Sequence, residues 1–303
     1  MANRRQHTIP QFYLRPFLSP GWVYQHGASA PRATKNPVGV AVQRDYYGID
    51  VAGRETLDSL NSYIEGKAAP SLKKLISNPK TITEYDWVVL SFLFANFAVR
   101  NPASIEEWRA AFLDAAKKVN AMKGKMCGRR REALVLIGDQ SKLRPELYNE
   151  APTVTHKELM EHASILKVKG GHRVAADDIS GALKDIAECI QQMAFWILGT
   201  PNDLFFVTSD RPLTLQRRKT GSRVGAGWKN PDALGSIALC PSRFLLMFYG
   251  EQSGVFQTKA SLAQVLGLNV EVIRFADKEV YSRSAYQEAN DWMKSIGRWS
   301  TKR

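Results

Sequence analysis

The chain has 303 residues, of which 44% are hydrophobic and 23% are charged, and these proportions exclude a disordered or fibrous protein. The formal net charge of +13 at pH 7 attracts polyanions, so nucleic acid is the first partner to consider. The alternative is a basic surface that binds nothing in particular.

The cysteines and the hydropathy favour the cytoplasm. Cys127, Cys189 and Cys240 are far apart and form no CxxC pair, as in a reducing compartment. The basic stretch after Met1 lacks the apolar region of a signal peptide. The most apolar run, residues 87–99, is shorter than the roughly 20 residues of a transmembrane helix. We therefore expect a cytoplasmic protein with no membrane partner.

The chain opens with HTIPQFYLRPF at residues 7–17, which is too apolar for a tail and too rich in proline for a helix. We expect an ordered arm that docks onto the rest of the protein. Short strands are predicted over residues 22–25 and 38–42. A helical period then runs over residues 56–77, and Pro70 within it predicts a kink or two abutting helices.

The middle of the chain is predominantly helical. A capping box at Thr83 begins a helix that ends at Arg100 and is apolar nearly all round, which is typical of a buried helix. Helices over 104–122 and 155–167 flank a basic loop at 123–131. Apolar residues at helical spacing over 179–197 predict a long helix that ends at Gly199.

Apolar runs at residues 204–208, 236–239 and 244–248 predict strands, with a long polar loop between the first two. Helical patterns return at 260–266 and 286–296. We predict an α+β fold in which a helical layer or bundle packs beside a mostly antiparallel sheet formed from N-terminal and late strands. A single domain over 1–303 would comprise an arm with short strands (1–55), a helical part (56–199), a strand-rich part (200–285) and a C-terminal helix with a basic tail (286–303).

Common catalytic motifs are absent from the sequence. There is no GxxxxGK[ST] loop, no HExxH and no GxSxG, which disfavours NTPases, zinc proteases and α/β-hydrolases. The polar stretch Thr208-Ser209-Asp210 follows a predicted strand, and such strand ends often carry functional side chains. Alternatively, these side chains only bond their own backbone in a turn.

Three isolated residues accompany this stretch. Glu65 lies beside an apolar helix face and must find a partner. Arg100 ends the most apolar helix, where a cation favours the helix C-terminus, and His7 stands in the opening segment. Each has a structural alternative, as an ion pair, a helix cap or a histidine bonded to a loop carbonyl.

Basic residues form two groups that would bind phosphates if they flank one groove. The first includes Arg129, Arg130 and Arg131, and the second includes Arg217, Arg218 and Lys219. Tyr13 and Trp228 could stack on bases. The alternative is two solvated loops on unrelated faces.

The motif H-x-x-P-Q-x-Y-L-x-x-F at residues 7–17, followed in order by Glu65, Arg100 and T-S-D-x-P at 208–212, resembles a bacterial family of domains of unknown function. The likeness runs from about residue 7 to 285. Some members of that family resemble single-gene anti-phage defence proteins. The resemblance implies that the fold gathers these distant positions, with His7 delivered to a pocket that also holds Glu65, Arg100 and Asp210.

Two hypotheses remain open. In the first, the protein is a nuclease, more readily of RNA than of DNA: His7 is general acid or base, Asp210 and Glu65 bind a divalent metal or activate water, and Arg100 stabilises phosphate charge. Gln11, Tyr13, Thr208, Ser209 and the basic groups would bind the substrate. In the second, a non-catalytic module senses nucleic acid or a phage component, and the polar residues only hold the arm in place.

Overall fold

The computed structural model describes residues 5–18, 20–25, 32–34, 36–44, 57–100, 113, 117, 176–201, 204–222, 227–250 and 254–283. The chain divides into two compact units, one of Met1–Asn101 with Ala175–Arg303 and the other of Pro102–Val174. Apart from residues 113 and 117, the described part belongs to the first unit. The predictions for 104–131 (with Arg129, Arg130 and Arg131), 155–167 and 286–296 therefore lie outside the described residues, those two positions aside.

Helices and strands alternate in blocks along the described chain. The helices are α1 Gln11–Leu18, α2 Leu57–Ser77, α3 Glu84–Arg100, α4 Ala176–Gln191 and α5 Leu262–Phe275. The strands are β1 Arg5–His7, β2 Gly21–Gln25, β3 Arg32–Thr34, β4 Val42–Arg44, β5 Ala194–Gly199, β6 Thr208–Ser209, β7 Leu213–Arg217, β8 Ala233–Cys240, β9 Arg243–Phe248, β10 Val255–Lys259 and β11 Glu279–Ser282.

The opening segment is helical, so the prediction of a non-helical arm is wrong. Pro10 stands just before α1, where its missing N–H costs nothing, and its carbonyl accepts the N–H groups of Tyr13 and Leu14. Pro16 lies inside the helix and removes one backbone hydrogen bond. Burial outweighs that loss, because Tyr13, Leu14, Phe17 and Leu18 are buried on one side of the helix.

The helices α2, α3 and α4 form a layer in which α3 packs against the other two. α2 runs through Pro70 as one helix. The predicted capping box is confirmed: the hydroxyl of Thr83 accepts the N–H of Asp86, and the Asp86 carboxylate accepts the Thr83 N–H. Burial disfavours the Asp86 carboxylate, but hydrogen bonds from Ser71, Thr83 and Lys74 outweigh it and hold its pKa well below the usual range.

The helix predicted to end at Gly199 stops at Gln191 instead, and residues 194–199 form strand β5. The run Ala-Phe-Trp-Ile-Leu is apolar on both faces, so its period fits a helix or a strand equally well. The tertiary structure decides the matter, since β5 lies between β9 and β10 and pairs with both.

A five-stranded sheet with the order β10-β5-β9-β8-β7 carries the core. All its pairs are antiparallel except β10 with β5. Phe195 of β5 stacks on Trp87 of α3, with ring centroids 4.1 Å apart, so the helical layer covers this face of the sheet. Strand β7 lies in the predicted polar loop, and residues 37–39 form a 3₁₀ helix where a strand was predicted.

The N-terminal and late strands meet in a second sheet with the order β3-β2-β11-β6. The predicted α+β fold is thereby confirmed, although the late strands divide between two sheets. The strand predicted at 204–208 is reduced to β6, because Asn269 of α5 takes the place of a strand partner. Its amide oxygen accepts the Val207 N–H at 3.0 Å, and its amide nitrogen donates to the Phe205 carbonyl at 2.9 Å.

Among the described helices, none combines the length and the hydropathy that crossing a lipid bilayer requires.

Candidate functional site

His7 is fixed at both nitrogens of its ring. It ends β1, which pairs with β4, and its Nδ1 lies 3.2 Å from the carbonyl oxygen of Val40. Its Nε2 lies 2.7 Å from the amide nitrogen of Gln11, the first residue of α1. The carbonyl can only accept, so the geometry places a proton on Nδ1 of His7, and Nε2 is paired with the Gln11 amide.

Arg100 joins this group from the end of α3. Its guanidinium donates to the Glu65 carboxylate of α2 and to the backbone carbonyl of His7. The Arg100 side chain is 4% exposed and that of Glu65 is 22% exposed, so water screens the ion pair only weakly. His7, Gln11, Glu65 and Arg100, hereafter the His7 cluster, are thus brought together from separate parts of the chain, and three of them belong to the group predicted with Asp210.

Helix α1 connects this cluster to the late polar stretch. The hydroxyl of Tyr13 donates to the Ala238 carbonyl of β8 at 2.6 Å and lies 2.7 Å from the hydroxyl of Thr208 in β6. Tyr13 is 1% exposed, and its ring packs against Phe17 and Phe97. Burial raises its pKa far above the usual value, so the phenol stays protonated. The ring that was predicted to stack on bases therefore packs inside the protein.

Ser209 and Asp210 bond to backbone groups. The Ser209 hydroxyl accepts the N–H of Arg211 and donates to its carbonyl, which is the predicted local turn. The Asp210 carboxylate accepts the N–H groups of residues 277, 278 and 279, at 2.9, 2.6 and 3.1 Å. Asp210 therefore fastens the end of β6 to the turn between α5 and β11. That His7 and Asp210 act in one pocket stays a prediction.

The surroundings of Asp210 shift its titration into the neutral range. Burial is the main cause and the Asp277 carboxylate adds to it, so that the pKa of Asp210 rises to about 7 in spite of the three N–H groups. A carboxyl group with such a pKa is suited to proton transfer near neutrality, and it also makes the stability of the fold dependent on pH.

Replacing Asp210 with asparagine should flatten the pH dependence of stability. The folded pKa of about 7 exceeds the unfolded value of about 3.9, so between these values the folded state binds more protons. The contribution of Asp210 is therefore fully present below about pH 4, and it is lost as the pH rises towards about 7. Urea unfolding of the wild type and of Asp210→Asn from pH 4 to 8 measures the difference. Asp185→Asn, whose side chain is 64% exposed, is the control, and parallel wild-type and Asp210→Asn profiles would contradict the raised pKa.

The second basic group lies on the hairpin formed by β7 and β8. The Nε of Arg217 is 3.6 Å from the Asp232 carboxylate, which also accepts the backbone N–H of Lys219. The guanidinium of Arg218 lies over the ring of Phe248, 5.4 Å from its centroid, which is cation–π geometry. The hairpin thus carries more positive than negative charge among its described residues.

A row of aromatic side chains that no sequence pattern predicted lies on the sheet face opposite α3. Trp196 of β5 lies between Phe248 of β9 and Phe256 of β10, and its ring centroid is 6.0 Å from the centroid of each of these rings. Trp196 is 39% exposed and Phe256 is 37% exposed. Trp196 was assigned to a helix and residues 255–259 to no element, so no pattern placed these rings side by side. A strand prediction for 194–199 would have pointed Trp196 away from the buried Phe195.

A cleft of about 480 Å³ lies elsewhere on the molecule, and none of the predicted site residues lines it. It is formed by Asp185, Glu188, Cys189, Gln192, Lys229, Pro231 and Tyr249. Burial raises the pKa of the Cys189 thiol and raises the pKa of Tyr249 to about 12, so neither is an ionised nucleophile at neutral pH. Within the described part of the chain, no three His, Cys, Asp or Glu side chains form a set that could hold a metal ion.

These features define an α+β protein whose N-terminal segment is fastened by a His–Gln–Arg–Glu cluster to the helical layer and by Tyr13 to the sheets. A family model described as "Protein of unknown function (DUF4238)" matches residues 5–286, and the chain belongs to this family. No curated protein and no solved structure matches the chain.

Proposed function

We propose that the protein binds nucleic acid and that the His7 cluster is an anchor of the N-terminal segment rather than a catalytic centre. The hydrogen bonds within the cluster support the second part. Both ring nitrogens of His7 and two guanidinium nitrogens of Arg100 are directed at protein groups. A general base or a phosphate-binding arginine needs these atoms for its substrate.

The single observation that carries nucleic-acid binding is the excess of positive charge, +13 over the chain, part of it placed on the β7–β8 hairpin. Arg217 keeps 40% of its side chain exposed and Lys219 is exposed; the Asp232 carboxylate lies 3.6 Å from the Nε of Arg217 and contacts Lys219 only at its backbone N–H. Cations at such a position neutralise phosphates and release their counterions, which is the main source of affinity for nucleic acid.

Incubating the purified protein with total RNA and with plasmid DNA tests the proposal. We expect binding whose logarithm falls linearly with the logarithm of the salt concentration, and Arg217→Gln and Lys219→Gln should each reduce that slope by about 1. Arg274→Gln, which removes an arginine with 61% of its side chain exposed on α5, is the matched control. Absence of binding to either nucleic acid at low salt would overturn the proposal.

The nuclease remains the second candidate, and two observations favour it. The fold brings together His7, Glu65 and Arg100, three of the four residues that the hypothesis places in one pocket, and the pKa of the fourth, Asp210, lies near 7. His7 and Asp210 would then move the protons, Arg100 would stabilise phosphate charge, and Glu65 with Asp210 would bind a divalent metal or activate water. Cleavage of RNA that is lost in both His7→Ala and Asp210→Ala, while these variants keep the wild-type melting temperature, would establish it in place of the anchor.

The defence role is a separate part of the proposal and rests on the resemblance alone. Expression of the chain in a host bacterium should then lower phage plaque counts. The hairpin variants Arg217→Gln and Lys219→Gln should weaken this protection if nucleic-acid binding is its basis. Unchanged protection would show that defence does not depend on nucleic-acid binding by the hairpin.

A further inference from the structure

The outer face of the five-stranded sheet presents an aromatic row. Cross-strand pairing places Phe256 opposite Trp196, and Trp196 opposite Leu246, which lies two residues before Phe248 on β9. The planes of the three rings depart from parallel by 29° and 38° between neighbours. Large aromatic side chains that stay more than one third exposed on a sheet, as Trp196 and Phe256 do, commonly mark an interaction surface.

Positive charge adjoins this row directly. The guanidinium of Arg218 lies over Phe248, and the neighbouring Arg217 and Lys219 belong to the basic hairpin. Arg218 therefore places a cation beside the rings on the same side of the sheet, whereas strand alternation turns the Arg217 side chain to the other side. Proteins bind single-stranded nucleic acid by combining aromatic rings, on which the bases stack, with neighbouring cations that bind the phosphates.

The same face carries an unused acceptor. Gln216 of β7 pairs with Leu234 of β8, which pairs with Phe248, so the three side chains share this face. The amide oxygen of Gln216 is buried and has no hydrogen-bond partner among the described residues. A turn of the amide would offer it to a ribose 2′-hydroxyl, a donor that deoxyribose lacks.

We propose that Phe256, Trp196 and Phe248, together with Arg218, form a surface on which single-stranded RNA stacks its bases. The inference deepens the proposed nucleic-acid binding, on which it rests, by naming the surface and the form of the ligand. Duplex RNA hides its base faces in its own stack, so the surface selects unpaired strands. The rings contact base faces, which every base has, so recognition is tolerant of sequence.

Fluorescence anisotropy with a fluorescein-labelled 12-nucleotide CA-repeat RNA tests this surface. Trp196→Ala and Phe256→Ala should each weaken binding by about 5- to 100-fold, while Trp196→Phe, which keeps a ring, stays within about threefold of the wild type. Tyr85→Ala, which removes a 61% exposed ring from α3, is the matched control and should leave binding unchanged. Circular dichroism verifies that each variant is folded, and Phe256→Ala on the edge strand carries the test if Trp196→Ala does not fold.

Three further measurements decide whether the surface binds single-stranded RNA, another nucleic acid or a second copy of the chain. The RNA duplex of the same sequence should bind at least about tenfold more weakly than the single strand, and single-stranded DNA should bind more weakly than RNA by a margin that Gln216→Ala removes. Equal binding of RNA and DNA would overturn the choice of RNA. A change of oligomeric state in Phe256→Ala by light scattering, with RNA binding intact, would assign the surface to a second copy of the chain.

The outcomes separate this inference from the proposed function. Wild-type affinity for RNA in both Trp196→Ala and Phe256→Ala overturns the stacking surface and leaves nucleic-acid binding standing. Absence of any binding by the wild type overturns both.

Discussion

Replacement of Arg100 by alanine should lower the free energy of unfolding by about 3 kcal/mol, measured by urea unfolding at pH 7. The guanidinium is 4% exposed and holds together the Glu65 carboxylate and the His7 carbonyl. Its removal leaves a largely buried carboxylate without its cation and a carbonyl without its donor. The loss falls at the lower end of the range for broken buried pairs, because Glu65 keeps 22% of its side chain exposed and some contact with water.

Two variants make the Arg100 measurement specific. Arg100→Lys keeps the charge but cannot reach both acceptors with a planar fork, so it should recover only part of the loss. Arg274→Ala removes an arginine that also pairs with a glutamate, Glu271 at 3.2 Å, but on the surface, and it should cost less than about 1 kcal/mol. Wild-type stability of Arg100→Ala, combined with loss of RNA cleavage or binding, would contradict the anchor and favour a role of Arg100 on the substrate.

Tyr13→Phe should destabilise the fold by about 2 kcal/mol, although it removes a single oxygen atom. That oxygen donates to the Ala238 carbonyl and contacts the Thr208 hydroxyl, and the side chains of Tyr13 and Thr208 are completely or almost completely buried. Phenylalanine leaves both partners without a hydrogen bond in a place that water does not reach. The phenol is protonated at all ordinary pH values, so the loss should be the same at pH 6 and pH 8.

A double-mutant cycle tests whether Tyr13 and Thr208 act as a pair. Thr208→Val should cost about 1 kcal/mol, and the double variant should cost less than the sum of the single ones by about 0.5–1 kcal/mol. Tyr85→Phe, an exposed hydroxyl on α3, is the control. Strictly additive losses would show that the two residues stabilise the fold independently. If Tyr13→Phe keeps the wild-type stability but binds RNA more weakly, the Tyr13 hydroxyl would instead be assigned to contact with RNA.

Local signals predicted most of the helical layer. The capping box at Thr83 and the apolar residues after it specified both the beginning and the burial of α3, because a cap and a run of apolar side chains act within a few turns. The same reasoning failed at residues 194–199, where the run is apolar on both faces and its period does not distinguish a helix from a strand. It also failed at α1, where the burial of four side chains outweighs a proline.

The candidate site likewise contains residues that the sequence predicted and contacts that it did not predict. His7, Glu65, Arg100 and Asp210 were predicted as a group from a resemblance. The structure joins the first three by hydrogen bonds, but their other partners, such as the Val40 carbonyl, could not be predicted. Asp210 was predicted at a strand end, either as a functional carboxylate in the pocket or as part of a turn that bonds its own backbone. Its backbone partners at 277–279 lie far along the chain, and only the pairing of β6 with β11 brings them near.

By itself, the amino-acid sequence determined the composition, the net charge, the α+β class and the caps and apolar faces of individual helices, because these depend on residues a few positions apart. The tertiary structure alone decided that Tyr13 turns inward, that Trp196 turns outward beside Phe248 and Phe256, and that Arg100 bonds to His7 and Glu65. These contacts join segments distant in sequence, and their energies depend on burial, which the order of residues along the chain does not specify.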